Sequence, residues 1–292
     1  MKKYIPLLLI MLFSFQAIYS EGQSQSPSQP RPPSGQAQAF AGSSMATMDN
    51  ALQESTPEDE FHLGRVVAAN ILNVYKPYTA NQELTRYLNR ICQTLVINSS
   101  KPVIFDGYHV IILDSPEFNA YASPGGHIFI TKGLVEAATS EDMLAALIAH
   151  EISHIILRHG MRLIDDMFIF NQASQSASMG QAMSGSASAN KLMMYRNSVS
   201  DMLDTIIKNG YSQTYEFEAD REAIKLLAAS GYDPAAMVDV LKVLQRVQNS
   251  QKGGFNTTHP APATRLTNAE VVLGLFRVQD TKSYRVPRFK NK

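Results

Sequence analysis

Cysteine is nearly absent from this 292-residue chain, which holds only Cys92. A disulfide within the chain is therefore excluded, and no cysteine follows the apolar run from Ile5 to Phe15, where a bacterial lipoprotein needs one. Charge of one sign is missing as well. Lys and Arg total 26, Asp and Glu total 26, and charged residues make up 18% of the chain, so nothing marks a nucleic-acid partner. A run of roughly 20 apolar residues, the length a spanning helix needs, is also lacking. The short apolar run is preceded by Lys2 and Lys3 and followed by Ala17 and Ser20, which reads as a secretory signal over residues 1–20 with cleavage near Ser20. Its removal takes two lysines and no acid, leaving a slight acidic excess. The expectation is a periplasmic protein without a lipid anchor and without a transmembrane segment in the mature chain. There is no internal repeat. Cys92 falls in the helical apolar periodicity of Leu84, Leu88, Ile91 and Leu95, which predicts a buried core thiol.

What is present divides the chain by composition. Residues 21–55 mix Pro27, Pro30, Pro32 and Pro33 with Gln, Ser, Gly and Ala, a combination that cannot bury enough apolar surface to order itself and reads as a linker. Thr56 as N-cap, Pro57 at the first helical position and Glu58, Asp59 and Glu60 facing the positive end of the dipole predict a helix start. An amphipathic helix is predicted over residues 81–96. Runs of strand character follow at 108–113 (YHVIIL), around 119–122, and at 127–131 (HIFIT), with SPGG as turn chemistry before the last. A helix starting near Thr139 and ending at Gly160 is predicted to bury a stripe of Leu144, Leu147, Ile148 and Ile155. Residues 172–190 are Ser, Ala, Gly, Gln and Met without periodicity and read as a mobile lid or insertion. Helices are predicted over 198–208, 213–230, 234–248 and 263–276, and a basic tail over 281–292. Helices, a small sheet and further helices in that order make an α+β domain over residues 56–280.

Residues 149–160, AHEISHIILRHG, pose the chemical question. His150 and His154 are four apart, so on a helix both project from one face and can offer imidazole nitrogens to one ion, as a zinc HExxH motif requires. Glu151 lies beside that face, where a carboxylate can move a proton between an activated water and a leaving amine. The pattern arises by chance in roughly one chain of this length in a hundred, so a further ligand has to be found before it carries a function. An extended HExxHxxGxxH motif is excluded by Leu157 and Gly160. On a continuous helix His159 is out of phase with the metal face and reads as a C-terminal histidine meeting the negative dipole end. The stretch YSQTYEFEADREA places Glu216 and Asp220 four apart on a second helix. One of the two can complete the zinc shell while the other accepts a ligand histidine's free N–H. Glu218 is rotated off that face and reads as solvated.

Taken together, HEISH, the YSxxxExEAD stretch some 60 residues later, the preceding FNAYASPGGHIFITKGLV and the following THPAPATRL resemble the HtpX and CAAX prenyl protease family of zinc metalloendopeptidases, in particular its soluble periplasmic branch. The resemblance spans about residues 56–276. It implies a gluzincin-type zincin fold, mostly helical, with a small sheet whose edge strand borders the active-site cleft. It implies one Zn2+ per chain held by His150, His154 and Glu216, with Asp220 orienting a ligand histidine. His259 and Arg265 match the family's THPxxxxR residues, which assist the transition state or, for the histidine, occupy the open zinc position in a latent state. Asn119, Ala120 and Tyr121 match the strand that takes substrate backbone as an added strand. The implied substrates are unfolded or misassembled envelope proteins, and outer-membrane assembly machinery is an implied partner.

Two departures from the family pattern bear on function. Gln213 stands where arginine usually follows the YS pair, which removes no ligand. The chain ends soon after Arg265, without the tetratricopeptide domain that some periplasmic members carry. Two readings remain open: an active zinc endopeptidase of envelope quality control using Glu151 as base and acid, and a latched, chaperone-like binder that holds proteins along its edge strand. Glu151 distinguishes them, because a pure binder has no use for that carboxylate.

Overall fold

The first helix begins where its capping chemistry places it. In the computed structural model, Thr56 Oγ1 accepts from the Asp59 N–H at 3.2 Å and Asp59 returns an acceptor to the Thr56 N–H at 3.0 Å, a reciprocal box that opens α1, Pro57–Val74. The structure describes residues 56–167, 210–248, 259, 262–276 and 282–290, with single positions at 197, 201 and 205. The expected signal segment, the 21–55 linker and the 172–190 segment lie outside the described residues, as does the 198–208 helix apart from positions 201 and 205.

Asn81 caps α2, Gln82–Val96, through its side-chain oxygen on Leu84 N–H. The helix buries the face carrying Leu88, Ile91, Cys92 and Leu95, and burial pushes the Cys92 thiol up to about 12, the signature of a packing residue without thiolate chemistry. The strands β1 His109–Leu113, β2 Ala120–Ala122 and β3 His127–Thr131 form one sheet in the order β1-β3-β2. β3 pairs in parallel with β1 and antiparallel with β2, so β2 is an edge.

Strand alternation divides the core in two. Val110, Ile112, Ala120, Ala122, Ile128 and Ile130 face a large cluster with α2 and the helices that follow the sheet, while Leu113, Tyr121 and Phe129 pack on Val67, Ala68 and Ile71 of α1. A short helix α3, Lys132–Ala137, leads to α4, Glu141–Ile156, whose N-cap Ser140 accepts from Met143 N–H. Every residue of α4 is buried. The expected stripe of Leu144, Leu147, Ile148 and Ile155 is inside, but so is the opposite face, because α2 and the sheet lie on one side and α5, Gln213–Ala229, and α6, Ala235–Gln248, on the other. A helix enclosed on all sides can carry polar residues only where they find specific partners.

The helix α7, Pro262–Leu273, packs on α5 and α6. The expected basic tail is a helix, α8, Lys282–Lys290, seated on the start of α4: Arg285 pairs with Asp142 at 2.8 Å and Arg288 with Glu141. Tyr87 and Tyr232 also donate to Glu141. The two acids in the first turn of the central helix thus meet both the dipole and two guanidinium groups.

Placement of the edge strand depends on a close approach. Gly64 of α1 lies against the turn after β2, and a Cβ at that position would sit 1.7 Å from the Pro124 carbonyl oxygen. Backbone cannot yield as a side-chain tip can, so Gly64→Ala is expected to destabilise the domain by on the order of 3 kcal/mol. Chemical denaturation of the chelated protein measures this, and a loss under about half a kcal/mol would show that α1 does not fix the turn.

Candidate metal centre

One helix supplies two histidines and another supplies the carboxylates that meet them. On α4 the four-residue spacing brings His150 Nε2 and His154 Nε2 to 3.1 Å. From α5, Glu216 approaches both, with oxygens 3.4 Å from each imidazole nitrogen. His259, from the segment before α7, brings Nδ1 to 3.0 Å from Glu216 and 3.4 Å from His150 Nε2. The four donor atoms of His150, His154, Glu216 and His259 all lie within 4.8 Å of one another, and all four residues are buried.

The spacing fits an ion of definite size. Four ligands at the roughly 2.0 Å bonds of tetrahedral zinc stand about 3.3 Å from one another; His150 stands 3.1 Å from His154 and 3.4 Å from His259, the Glu216 oxygens stand 3.0 to 3.4 Å from the three imidazoles, and the whole set lies within 4.8 Å. Imidazole nitrogen and carboxylate oxygen are donors that zinc accepts.

Beneath the donors sits a buried charge network. Arg265 has no solvent exposure; its Nε and Nη2 donate to the two oxygens of Asp220 at 2.8 and 2.6 Å, and its Nη1 stands 2.7 Å from Glu216. Asp220 in turn lies 3.0 Å from His150 Nδ1. Arg265, expected beside a developing oxyanion, therefore has its guanidinium committed to two carboxylates under the donor set. Burial alone would raise Glu216, but His259 and Arg265 hold it well below the usual carboxylate range, while burial drives His154 well below the usual imidazole value. An ionised carboxylate and a neutral imidazole are the states a metal needs. Burial would also lower His150, yet hydrogen bonds to Asp220 and Glu216 outweigh it and carry that imidazole up to about 9. The negative potential that draws a proton there is the same potential that draws a cation.

Glu151 differs from every other acid in the site. It is fully buried, neither of its oxygens has a hydrogen-bond partner among the described residues, and His259 Nε2 stands 3.7 Å from it. Burial raises its carboxyl against the pull of His259 and His150. A buried carboxylate left without a partner is costly unless something else occupies its lone pairs.

The sheet edge completes the arrangement. In the antiparallel β2–β3 ladder, Asn119 and Thr131 exchange contacts, Tyr121 faces Phe129, and Ser123 bonds His127, so alternation turns the N–H and C=O groups of Ala120 and Ala122 away from β3. The Ala120 carbonyl lies 3.3 Å from His259 Nε2. The side chains of Asn119 and Tyr121 are engaged inside the domain: the Asn119 amide donates to the Tyr121 hydroxyl at 2.7 Å, and that hydroxyl lies 3.2 Å from the one on Tyr75. The Ala120 N–H already donates to Asn119 Oδ1 at 2.9 Å, so the groups turned away from β3 are the Ala120 carbonyl, met by His259, and the backbone of Ala122, a residue the sequence reading did not select.

The structure overturns one reading of the sequence. His159 does not point away from the metal face; it is buried, with its Nδ1 2.8 Å from His154 Nδ1. The phase argument assumed a continuous helix to Gly160, whereas α4 ends at Ile156, Arg158 turns left-handed at φ 57°, and helical backbone restarts at residue 159. Glu218, expected in solvent, is half-buried against His159 Nε2 and Arg162. A left-handed arginine carries no sequence signal, since asparagine or glycine is the usual occupant.

The signature of peptidase family M48 matches residues 81–272, from the cap of α2 to the end of α7. The chain belongs to peptidase family M48. Among M48-type relatives it is 30% identical over 189 residues to the beta-barrel assembly-enhancing protease of Escherichia coli K12, covering 64% of this chain and 38% of that protein. It is 26% identical over 187 residues to metalloprotease LoiP of the same organism, covering 64% of this chain and 69% of LoiP. To mitochondrial metalloendopeptidase OMA1 of Arabidopsis thaliana it is 26% identical over 162 residues, covering 54% of this chain and 30% of that one. The chain thus spans well under half the length of the assembly-enhancing protease. Within the described residues, no helix is long and apolar enough to cross a membrane.

His154→Ala and Glu216→Ala are expected to abolish stoichiometric metal binding in elemental analysis of purified protein. Arg265→Ala leaves Asp220 and Glu216 buried without their counter-charge and is expected to lower stability by about 3–5 kcal/mol. Full metal occupancy in Glu216→Ala would show that the carboxylate is not a donor.

Proposed function

We propose that the chain is a zinc-dependent metalloendopeptidase of envelope protein quality control, with zinc held by His150, His154 and Glu216. The observation that carries this reading is Glu151, a fully buried carboxylate without a hydrogen-bond partner among the described residues, beside a cluster of metal donors. A structural metal site gains nothing from such a group. A hydrolytic site needs one, because a water molecule has to be held and deprotonated there. Bound zinc supplies Lewis acidity for water activation and for polarising the scissile carbonyl.

The protein's own residues divide the remaining work. Glu151 accepts the proton of the attacking water and delivers it to the departing amine, with the raised affinity for protons that its burial confers. Asp220 accepts from His150 Nδ1 and fixes that ring's orientation, and Arg265 holds Asp220 and Glu216 in place. The Ala120 carbonyl and the backbone of Ala122 take an extended substrate as an added strand, Asn119 Oδ1 releases the Ala120 N–H that it accepts from when no substrate is bound, and Tyr121 braces that edge from behind. Recognition through backbone requires an unfolded segment and no particular side chain, which suits unfolded or misassembled envelope proteins as substrates. One relative's name places it in beta-barrel assembly, which supports outer-membrane assembly machinery as a partner. The composition of residues 1–20 supports export to the periplasm.

The position of His259 favours a second state of the same enzyme. Its Nδ1 stands where a fourth donor belongs, the place that substrate or water takes in an open catalytic site. The reading that follows is a latch: His259 in place holds the enzyme idle, and its departure frees the position and turns the imidazole toward transition-state support.

Two measurements test the reading. Glu151→Gln is expected to keep stoichiometric zinc and the native melting temperature while casein or peptide cleavage falls by about a hundredfold or more; near-normal cleavage would sink the mechanism. A latch that leaves about a tenth of molecules open predicts a rise of up to roughly tenfold in peptide cleavage by His259→Ala. A large loss in that variant would instead assign the imidazole to the transition state alone.

A further inference from the structure

Behind His154, on the side away from the other donors, lies a second buried polar chain that the proposed mechanism does not use. His154 Nδ1 and His159 Nδ1 are 2.8 Å apart, and His159 Nε2 is 3.2 Å from Glu218, which also pairs with Arg162. We propose that His159 is a positioning residue, accepting the Nδ1 proton of His154 and passing its own Nε2 proton toward Glu218, so that a carboxylate–imidazole–imidazole chain fixes the tautomer in which His154 offers Nε2 to the metal. The inference rests on the reading that His154 is a metal ligand.

The tautomers follow one from another. His154 Nε2 lies among the donor atoms, 3.1 Å from His150 Nε2 and 3.4 Å from Glu216, and a ligating nitrogen presents its lone pair. The proton of that neutral ring therefore sits on Nδ1. Two nitrogens at hydrogen-bond distance need one donor and one acceptor, so His159 Nδ1 accepts. Its remaining proton then resides on Nε2, which faces the carboxylate of Glu218. No position in the chain has a second choice.

Packing holds both rings to this geometry. His159 stacks on Tyr215 with centroids 4.7 Å apart and an interplanar angle of 6°, and His154 stacks on Tyr211 at 4.3 Å and 16°. Arg162 lies over the outer side of Tyr215 and reaches Glu218. The indirect design has an electrostatic reason. The pocket already buries Glu151, Glu216 and Asp220 around Arg265, and another fully buried carboxylate would need another buried cation. An imidazole spacer puts the orienting carboxylate at a half-buried position where Arg162 can reach it. His150 and His154 are thus oriented differently, the first by Asp220 directly and the second through His159.

The test compares zinc binding by His159→Phe, His159→Gln and Glu218→Ala using competition with a chromophoric chelator, alongside melting curves with and without zinc. Phenylalanine keeps the stack on Tyr215 but cannot accept a proton, and loss of an outer partner of this kind weakens metal binding by about 10–100-fold. A similar loss is expected in His159→Phe, with the melting temperature of the zinc-free protein unchanged and the zinc-induced rise reduced. In His159→Gln the side-chain oxygen can still accept from His154, and binding should recover in part. Glu218→Ala should weaken binding less than His159→Phe. Wild-type zinc affinity in His159→Phe would overturn the proposal; if that variant does not fold, unchanged affinity in Glu218→Ala overturns it. A wild-type protein that binds no zinc would reject the metalloenzyme reading itself, a result distinct from zinc binding that ignores these variants.

Discussion

A single guanidinium group allows the rest of this site to exist. Arg265 lies without solvent exposure beneath two carboxylates on one face of α5, and without it Asp220 and Glu216 would be two like charges close together in a dry interior. Coulombic repulsion at such range in a low-dielectric medium protonates one of the pair. With the arginine in place Glu216 and Asp220 are both held below the usual carboxylate range, and the proton that His150 draws there occupies the place in the charge balance that a cation on the proposed reading would take. The donor geometry, the protonation states and the charge balance thus express one constraint: α5 must present two carboxylates one turn apart to two histidines one turn apart on α4.

That constraint explains why α4 is buried on every side. A helix carrying a pair of candidate metal donors has to be held in rotation and in depth, since a slight roll would separate His150 and His154 from Glu216. The sheet, α2, α5 and α6 enclose its length, and Arg285 and Arg288 of α8 fasten its first turn. Its far end is fixed by interruption: the left-handed Arg158, reaching Glu60 of α1 at 2.8 Å, stops the helix and swings His159 back behind His154. Backbone strain of about a kcal/mol at that residue is small beside what misplacing a ligand would cost.

Much of this was legible in the sequence, for reasons that differ by element. The pairs His150/His154 and Glu216/Asp220 could be read because helical spacing is local, and a local rule survives whatever the tertiary fold does. The strands at 109–113 and 127–131 announced themselves through β-branched runs bounded by turn residues. The stripe assigned to α4 was too narrow, because periodicity reports where apolar residues lie and says nothing of how many neighbours enclose a helix. His159 was misplaced because its phase depends on one backbone torsion at Arg158; Glu218 lies off the donor face as expected, and only its pairing with His159 and Arg162 went unread. Asn119, Ala120 and Tyr121 were selected by resemblance to the family's edge strand, yet alternation against β3 turns away from the sheet the backbone groups of Ala120 and Ala122 and leaves the side chains of Asn119 and Tyr121 engaged within the domain, and an alanine gives no chemical signal in a sequence.

The edge strand and the unpartnered carboxylate answer different halves of one problem. A protease acting on unfolded chains, as proposed, could not rely on a shaped side-chain pocket, since such substrates share only backbone. A strand edge recognises what they share: it bonds N–H and C=O groups along an extended segment and rejects folded proteins, whose backbone is already paired. The same breadth would make an open site hazardous to any chain passing in an unfolded state. His259 lies between the two halves, 3.3 Å from the Ala120 carbonyl and 3.7 Å from Glu151. On the proposed reading an incoming strand would compete for the Ala120 carbonyl, and loss of that contact would loosen the imidazole from the donor cluster. Substrate binding and release of the fourth donor would then be coupled through one hydrogen bond, so that the site would open to chains long enough to lie along β2.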